Sequence, residues 1–266
     1  MSTAAPQGKR PLLRVEGLVK DFGGLRAIDH CSFEVEENTI TGLIGPNGAG
    51  KTTMFNVITG FFRPDAGRVF LGDEDITALP PHEVFKRGMC RTFQIPREHP
   101  SMSVIENLML VAPDQIGEKF WNCWIRPAEV RRQEEEIRAR AEEVLAFVEL
   151  THVTEEYAGK LSGGQKKLLE LARTLMTDPK IVLLDEPAAG VNRTLMKRIS
   201  ENIETLRRER GITFLLIEHD MNMVMNLCNP VIVMSEGRDL MVGRPEEVQN
   251  DPRVLEAYLG GQYATA

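Results

Sequence analysis

The glycine-rich segment at 45–52 carries the most specific chemistry in this sequence. It reads Gly-Pro-Asn-Gly-Ala-Gly-Lys-Thr and completes the phosphate-binding pattern G-x-x-x-x-G-K-[ST]. Glycines let successive backbone N–H groups face phosphate oxygens, where a Cβ would obstruct them. Lys51 would place its charge on the β- and γ-phosphates, and the Thr52 hydroxyl would bind Mg²⁺. The predicted nucleotide-binding residues here are Gly45, Pro46, Asn47, Gly48, Ala49, Gly50, Lys51, Thr52 and Thr53.

The residues on either side of this loop support the same prediction. The apolar run at 40–44 predicts a buried strand, and the run at 52–59 predicts a helix. The positive N-terminus of that helix would face the phosphates. The alternative is an ordinary glycine-rich turn between a strand and a helix, which this combination of loop and flanks disfavours.

A second apolar run ends in two acidic residues. Residues 181–184 are Ile-Val-Leu-Leu, and Asp185 and Glu186 follow them. A carboxylate at the carboxyl end of a strand beside a phosphate loop is where Mg²⁺ is held, usually through water, so we assign Asp185 to the metal. Glu186 could polarise an attacking water. Taken alone, an aspartate at a strand end is also a common turn-former, but the phosphate loop favours the metal role.

The string Leu-Ser-Gly-Gly-Gln at 161–165 predicts a second anion-binding helix start. Ser162 can cap a helix that runs to about Thr177, and Gln165, three residues on, completes a capping box. Gly163 and Gly164 leave backbone N–H groups accessible at a positive helix end. The alternative is an ordinary capped helix, which the capping chemistry alone does not exclude.

One chain therefore has two phosphate-binding helix starts, whereas one nucleotide has a single γ-phosphate. In a head-to-tail dimer, each nucleotide could lie between the loop at 45–52 of one subunit and the Ser162 turn of the other. This duplication of motifs leads to a hypothesis of a dimer.

Strands and helices alternate around these motifs. Runs at 12–18, 31–35, 68–71 and 213–217 predict strands, runs at 83–87, 194–210 and 221–227 predict helices, and residues 231–242 predict a hairpin. Such alternation implies a mainly parallel sheet with helices on both faces. Residues 113–160 are instead charged and helical in period, and they predict a separate helical layer with a solvated face.

The overall composition limits the possible classes of protein. The chain has 266 residues, of which 42% are hydrophobic and 27% are charged, and its net charge is −7. This balance fits a globular domain and argues against a general nucleic-acid-binding protein. No apolar run approaches the roughly 18 residues of a membrane span, and no secretory signal is visible. The four cysteines lack C-x-x-C spacing, which predicts free thiols in a reducing cytoplasm.

The motifs taken in order resemble those of the nucleotide-binding subunits of ABC transporters. The phosphate loop, the string at 161–165, the pair Asp185-Glu186 and His219 occur in the order typical of that family over about residues 12–260. The segments 22–25, 91–94, 186–192 and 218–221 and the ending at 257–260 are similar to the subfamily that serves branched-chain amino-acid importers. Asn192 departs from the general pattern, which has an acidic residue at this position.

The resemblance implies further roles for single residues. Gln94 looks like the glutamine that contacts Mg²⁺ and the attacking water, and His219 looks like the histidine that contacts the γ-phosphate. Glu186 resembles the catalytic base, and Phe22 stands where the family stacks an aromatic ring on adenine. The implied cofactors are ATP and Mg²⁺, with Thr52, Gln94 and Asp185 at the metal and Ser162, Gly163, Gly164 and Gln165 completing the site of a partner.

The resemblance also implies the architecture and the activity. We expect an α/β P-loop NTPase core with an antiparallel β subdomain, forming one domain at 12–260 between tails at 1–11 and 261–266, with a helical subdomain inserted at about 95–177. The expected function is ATP hydrolysis that energises import of branched-chain or related amino acids from the cytoplasmic face of the inner membrane. Expected partners are an identical or paralogous ATPase subunit, membrane permeases and, indirectly, a periplasmic solute-binding protein, with no nucleic acid. An exporter of lipid or lipopolysaccharide type, a soluble non-transport ABC ATPase and a nucleotide-binding regulator without hydrolysis remain alternatives.

Overall fold

Our computed structural model describes residues 11–92 and 98–263. Within these residues the strands are β1 Pro11–Phe22, β2 Leu25–Glu36, β3 Ile40–Ile44, β4 Ala66–Leu71, β5 Glu74–Asp75, β6 Met89–Arg91, β7 Ile181–Asp185, β8 Thr213–Ile217, β9 Val231–Ser235 and β10 Arg238–Gly243. The helices are α1 Lys51–Ile58, α2 Pro81–Lys86, α3 Val104–Met109, α4 Phe120–Ile125, α5 Pro127–Phe147, α6 Gly163–Leu175, α7 Arg193–Arg210, α8 Met221–Leu227, α9 Pro245–Asn250 and α10 Pro252–Tyr263.

The chain divides into two compact units. The first consists of the described residues of 1–91, 180–186 and 203–266, and the second consists of those of 92–179 and 187–202. The second unit is therefore discontinuous and includes a segment beyond the predicted insertion at about 95–177. The exact limits of the domain and of its insertion stay a prediction.

The first unit is built on a six-stranded, mainly parallel sheet. Its strand order is β10-β9-β3-β8-β7-β6, and only the β9–β10 pair is antiparallel. Every residue of β3, β7 and β8 is buried, as expected for parallel strands covered on both faces. This confirms the predicted parallel sheet and the hairpin at its edge.

A smaller antiparallel sheet completes the first unit. Its strand order is β2-β1-β4-β5, and it supplies the antiparallel subdomain that the family resemblance implied. Leu13, Val15 and Leu18 of β1 and Val69 of β4 are buried in the same core as the central parallel strands. Apolar burial of this kind is the main contribution to the stability of the unit.

The second unit is helical, as predicted for the charged middle of the chain. The long helix α5 buries Val130, Ala141, Val144 and Leu145 on one face and exposes most of its charged residues. Ion pairs four residues apart, such as Arg138 Nε to Glu142 Oε1 at 3.2 Å, lie on the exposed face. They confirm the prediction of a solvated face, and each contributes only a few tenths of a kcal/mol, about 0.3–0.5.

Several boundaries differ from the expectations. β1 extends to Phe22 because it pairs with β2 on one side and β4 on the other beyond the predicted limit at 18. The strand β6 has three residues, too few to show a periodicity.

All four cysteines are free thiols, as predicted. In the described part of the chain, no helix combines the length and the apolar character needed to cross a membrane.

Candidate active site

Three loops of the first unit meet because their strands are parallel neighbours. In the sheet, β8 lies between β3 and β7, and Ile217 of β8 is in register with Leu43 of β3 and with Asp185 of β7. The carboxyl ends of parallel strands share one edge of a sheet, which is where α/β proteins bind ligands. The phosphate loop, Glu186 and His219 therefore emerge at the same edge.

The phosphate loop has the close backbone approaches that its glycines predict. Gly48 and Gly50 have φ of 81° and 98°, in the left-handed region. A Cβ on Gly50 would lie 2.4 Å from the carbonyl oxygen of Ala27, and one on Gly45 would lie 2.1 Å from that of Met234. The loop is thus packed tightly against neighbouring backbone, and this packing fixes its curvature before a ligand binds.

Replacing Gly50 with alanine is expected to destabilise the protein more than replacing Gly48. Both substitutions carry the cost of a left-handed alanine, about 1–2 kcal/mol, but a Cβ on Gly48 has no heavy atom within 4 Å. Only Gly50→Ala also forces the loop and the backbone at Ala27 apart. Urea unfolding of the two variants measures the difference, and equal losses of stability would contradict the close approach.

Lys51 is the first residue of α1 and is held at the mouth of the loop. Its Nζ donates hydrogen bonds to the carbonyl oxygens of Gly45 at 2.7 Å and Pro46 at 3.0 Å. Burial lowers the pKa of Lys51, while the negative charges of Glu186 and Asp185 act in the opposite direction. The ammonium is therefore desolvated and close to both strand-terminal carboxylates, which suits it to a highly charged phosphate group.

Asp185 ends β7 in a buried ion pair that the sequence did not reveal. Nη2 of Arg91 donates to Oδ2 of Asp185 at 2.8 Å, and both side chains are 7% exposed. Nη1 of the same guanidinium donates to Oδ1 of Asn56, a residue of α1, at 2.6 Å. Arg91 thus links the end of β7 to the helix that follows the phosphate loop. No local pattern around Arg91 in the segment 91–94 predicts this ion pair.

Glu186 and His219 are in direct contact. Oε1 of Glu186 lies 3.0 Å from Nε2 of His219. Glu186 has a φ of 50°, a left-handed conformation that is rare for a residue with a side chain and is often found at functional sites. Its backbone N–H donates to the carbonyl oxygen of Ile217 at 2.9 Å, so the end of β8 holds the turn in place.

Glu218 is a further residue whose position bears on the site. It is 4% exposed, and its Oε2 accepts hydrogen bonds from the backbone N–H groups of His219 at 2.9 Å and Asp220 at 3.2 Å. Asp220 in turn caps α8 by accepting from the N–H of Met223 at 3.0 Å. These bonds fix the backbone that carries the His219 ring. The sequence shows only that an acid stands next to the histidine, and its burial depends on the fold.

Of the two remaining predicted site residues, Phe22 lies within the described residues and Gln94 does not. Phe22 ends β1, is 42% exposed, and packs edge-to-face on Phe62 with ring centroids 5.3 Å apart. Its exposed face leaves room for stacking on a base, and this role stays a prediction. Gln94 lies outside the described residues.

The Ser162 turn belongs to the second unit and has the predicted capping box. The N–H of Gln165 donates to Oγ of Ser162 at 3.3 Å, and Oε1 of Gln165 accepts from the N–H of Ser162 at 2.9 Å. Ser162 and Gly163 are exposed. A Cβ on Gly164 would lie 2.2 Å from Cδ2 of Leu195, so a larger residue here would require the Leu195 side chain to move. The helix ends at Leu175, two residues before the predicted end.

The last helix reaches the phosphate loop through Tyr258. Its hydroxyl is hydrogen-bonded to the backbone of Gly45, and burial raises the pKa of Tyr258. In the sequence, Tyr258 belongs to the ending at 257–260 that is typical of the branched-chain subfamily. The contact joins residues more than 200 positions apart, so no local pattern could have revealed it.

Within the described residues, the proposed metal ligands are oxygen atoms of Thr52 and Asp185. Thr52 is exposed in the first turn of α1 and offers a hydroxyl oxygen, and Asp185 offers a carboxylate. In the described ranges, no cluster of three or more His, Cys, Asp or Glu residues could hold a metal by itself. Mg²⁺ prefers oxygen ligands and commonly takes one or two from the protein and the rest from phosphate and water. The residues present therefore fit Mg²⁺ that arrives with a nucleotide.

Comparisons with known proteins agree with this site. The family model described as "ABC transporter" matches residues 28–189, and the model "Branched-chain amino acid ATP-binding cassette transporter" matches residues 240–264. The chain is 42% identical over 255 residues to the "Probable branched-chain amino acid transport ATP-binding protein LivG" of Archaeoglobus fulgidus, which covers 94% of this chain and 96% of that protein. It is 41% identical over 251 residues to the "High-affinity branched-chain amino acid transport ATP-binding protein BraF" of Pseudomonas aeruginosa, with 94% and 98% covered.

A solved structure gives the same result. The ADP conformation of MJ1267, an ATP-binding cassette of an ABC transporter, superposes with a TM-score of 0.82 at 40% identity and covers 95% of this chain and 100% of that one. The first family model covers more than half of the chain, and the relatives match nearly all of it. The chain therefore belongs to the ABC transporter family as an ATP-binding, ATP-hydrolysing subunit, in the branch that contains LivG and BraF.

Proposed function

We propose that this subunit hydrolyses ATP to energise the import of branched-chain or related amino acids. The observation that carries the proposal is the match of residues 240–264 to a family model specific for branched-chain amino-acid cassettes. Relatives that match 94% of the chain are named for the transport of the same solutes. The exporter and the soluble ATPase have no comparable support.

We assign the roles at the site from the geometry of the first unit. The loop N–H groups and Lys51 bind the β- and γ-phosphates and stabilise charge on the transferring phosphoryl group. Glu186 orients the attacking water and accepts its proton, and its contact with His219 at 3.0 Å positions both side chains. Thr52, Asp185 and Gln94 would hold Mg²⁺, which neutralises negative charge on the phosphates when it is bound.

The second half of the site is proposed to come from a partner subunit, identical or paralogous. The capped N-terminus of α6 begins with Gly163 and Gly164, next to the exposed Ser162. Such a helix start can bind the γ-phosphate of a nucleotide held by the loop of another copy. ATP would then join two subunits head to tail, and hydrolysis would release them.

The proposed location is the cytoplasmic face of the inner membrane. Membrane permeases would supply the pathway for the solute, and a periplasmic binding protein would deliver it. The surface expected to meet a permease lies at about 94–107, where Met102 is half-buried and its carbonyl oxygen accepts from the N–H of Ala158 at 2.9 Å. A crosslink between Met102 and a permease would support this contact.

Uptake in cells tests the proposed solute. Deleting the gene for this chain is expected to abolish high-affinity uptake of radiolabelled leucine, and the wild-type chain but not its Lys51→Ala variant should restore it. Lys51→Ala removes the charge on the phosphates, whereas Lys86→Ala, at an exposed lysine of α2, serves as the matched control. Unchanged leucine uptake in the deletion strain together with altered lipid export would overturn the importer assignment.

A further inference from the structure

The short helix α4 exposes the largest group of apolar side chains in the second unit. Phe120, Trp121, Trp124 and Ile125 are 60%, 63%, 87% and 75% exposed. Phe120 and Trp124 are four residues apart, as are Trp121 and Ile125, so the four lie on one side of the helix. We call these four residues the aromatic patch. Scattered single apolar residues are normal on a protein surface, but a contiguous group of this kind marks an interaction site.

Two side chains of α4 are hydrogen-bonded to the turn that precedes the helix. Nδ2 of Asn122 donates to the carbonyl oxygen of Ile116 at 2.7 Å. Sγ of Cys123 donates to the carbonyl oxygen of Gly117 at 3.6 Å. An ordinary surface helix buries its apolar side and exposes its polar side. α4 buries none of its residues, so its apolar side chains are available to an apolar environment outside the described chain.

The segment that precedes α4 is hydrogen-bonded to α5. The N–H of Ile116 donates to Oε1 of Gln133 at 2.8 Å, and Nε2 of Gln133 donates to the carbonyl oxygen of Asp114 at 3.1 Å. Because Gln133 belongs to α5, the turn that carries α4 is fixed to the longest helix of the unit. The backbone that leads into α4 is therefore held against α5.

Basic residues precede and follow the patch along the chain. Lys119 and Arg126 stand at the two ends of α4, and Arg131 and Arg132 follow on α5. Two of these cations have partners: Arg126 pairs with Glu129 and Arg132 with Glu136. Lys119 and Arg131 are exposed and have no ion pair among the described residues. Residues 116–132 contain four basic and two acidic side chains, although the whole chain has a net charge of −7. This local reversal of charge favours an anionic surface.

We propose that the aromatic patch inserts into the headgroup–acyl boundary of an anionic lipid bilayer. Tryptophan and phenylalanine beside lysine and arginine suit this boundary, because the rings enter the apolar side while the cations contact lipid phosphates. A short element of this kind supplies weak, reversible binding. It would hold the subunit beside the membrane when permease contacts are loosened during the transport cycle. The inference rests on the proposed peripheral location but needs neither the solute nor the ATPase roles.

Tryptophan fluorescence of the unmodified chain can test this proposal. Its two tryptophans are Trp121 and Trp124, so tryptophan emission reads the patch alone. Adding vesicles of phosphatidylglycerol and phosphatidylcholine to the purified chain should shift the emission to the blue, and lipids brominated on their acyl chains should quench it. Vesicles of phosphatidylcholine alone should give a smaller shift, and added salt should weaken the binding.

Paired variants distinguish binding through the aromatic patch from nonspecific adsorption of the protein to vesicles. In co-sedimentation with the anionic vesicles, Trp121→Ser/Trp124→Ser is expected to bind at least about tenfold more weakly, because two apolar side chains no longer leave water. The matched control, Phe85→Ser/Leu110→Ser, removes side chains that are 42% and 49% exposed elsewhere and should bind as the wild type does. Far-UV circular dichroism and ATP hydrolysis should be unchanged in both.

Two results would overturn the lipid assignment. One is a tryptophan emission maximum that stays the same with both kinds of vesicle but shifts when a permease is added. That result would make the patch a contact with another protein. The other is equal loss of sedimentation in the tryptophan variant and its control. Leucine uptake is measured independently, so failure of this proposal would leave the proposed function standing.

Discussion

Replacing Glu186 with glutamine is expected to lower kcat for ATP hydrolysis by about 10²–10⁴-fold, the contribution typical of a positioned base. Glutamine has the size of glutamate and can still accept a hydrogen bond from His219, but it cannot take a proton from water. ATP binding should persist because Lys51 and the loop glycines are untouched. Phosphate release measures turnover, and a fluorescent ATP analogue measures affinity.

A matched control separates chemistry from backbone strain. Glu186 has a φ of 50°, and Asp114, an exposed residue of the second unit, has a φ of 55°. Asp114→Asn is therefore the same change from carboxylate to amide in a similar backbone conformation, at a residue with no role in the site, and it should leave kcat unchanged. Full turnover in Glu186→Gln would remove this residue as the base.

The same variant tests the proposed dimer. If ATP is bound but not hydrolysed, two subunits should remain joined through the Ser162 turns, and sedimentation velocity should detect a dimer when Mg²⁺ and ATP are present. Adding Lys51→Ala to Glu186→Gln removes the bound phosphates and should return the protein to monomers. A Glu186→Gln protein that binds ATP and stays monomeric would contradict the shared site.

Local patterns account for what could be predicted from the sequence. The strand β3 and the helix α8 have the predicted bounds because each is set by a short run of residues and its immediate neighbours. The capping box joins Ser162 to Gln165, three positions away, so its hydrogen bonds follow from spacing alone. The same holds for the conformations of Gly48 and Gly50 in the phosphate loop.

Contacts between distant positions could not be predicted in this way. The ion pair of Arg91 and Asp185 joins β6 to β7, and β6 itself is too short to predict. The hydrogen bond of Tyr258 with Gly45 depends on how the last helix folds back. The exposure of the aromatic rings of α4 does not follow from the sequence either, because a run rich in aromatic residues ordinarily favours burial, whereas these rings are exposed. Such features depend on tertiary packing and not on sequence spacing.

Replacing Arg91 with methionine is expected to lower the free energy of unfolding by about 3–5 kcal/mol, the usual cost of breaking a buried ion pair from one side. Methionine fills much of the volume but leaves the Asp185 carboxylate, which is 7% exposed, without its guanidinium. Oδ1 of Asn56 loses a donor at 2.6 Å as well. For a chain of this length the melting temperature should fall by on the order of 10 °C, measured by calorimetry.

Two further variants identify the cause of that loss. Arg91→Met/Asp185→Asn should be less destabilised than Arg91→Met, since the buried negative charge is removed together with its partner. Arg87→Met is the matched surface control, because its guanidinium, 27% exposed, pairs with Glu74 at 2.7 Å, and it should cost below about 1 kcal/mol. Mg²⁺ and ATP should restore part of the stability of Arg91→Met, because a metal ion at Asp185 would replace the missing positive charge. Equal losses in the Arg91 and Arg87 variants, without any recovery on addition of Mg²⁺ and ATP, would show that the buried pair does not hold the end of β7.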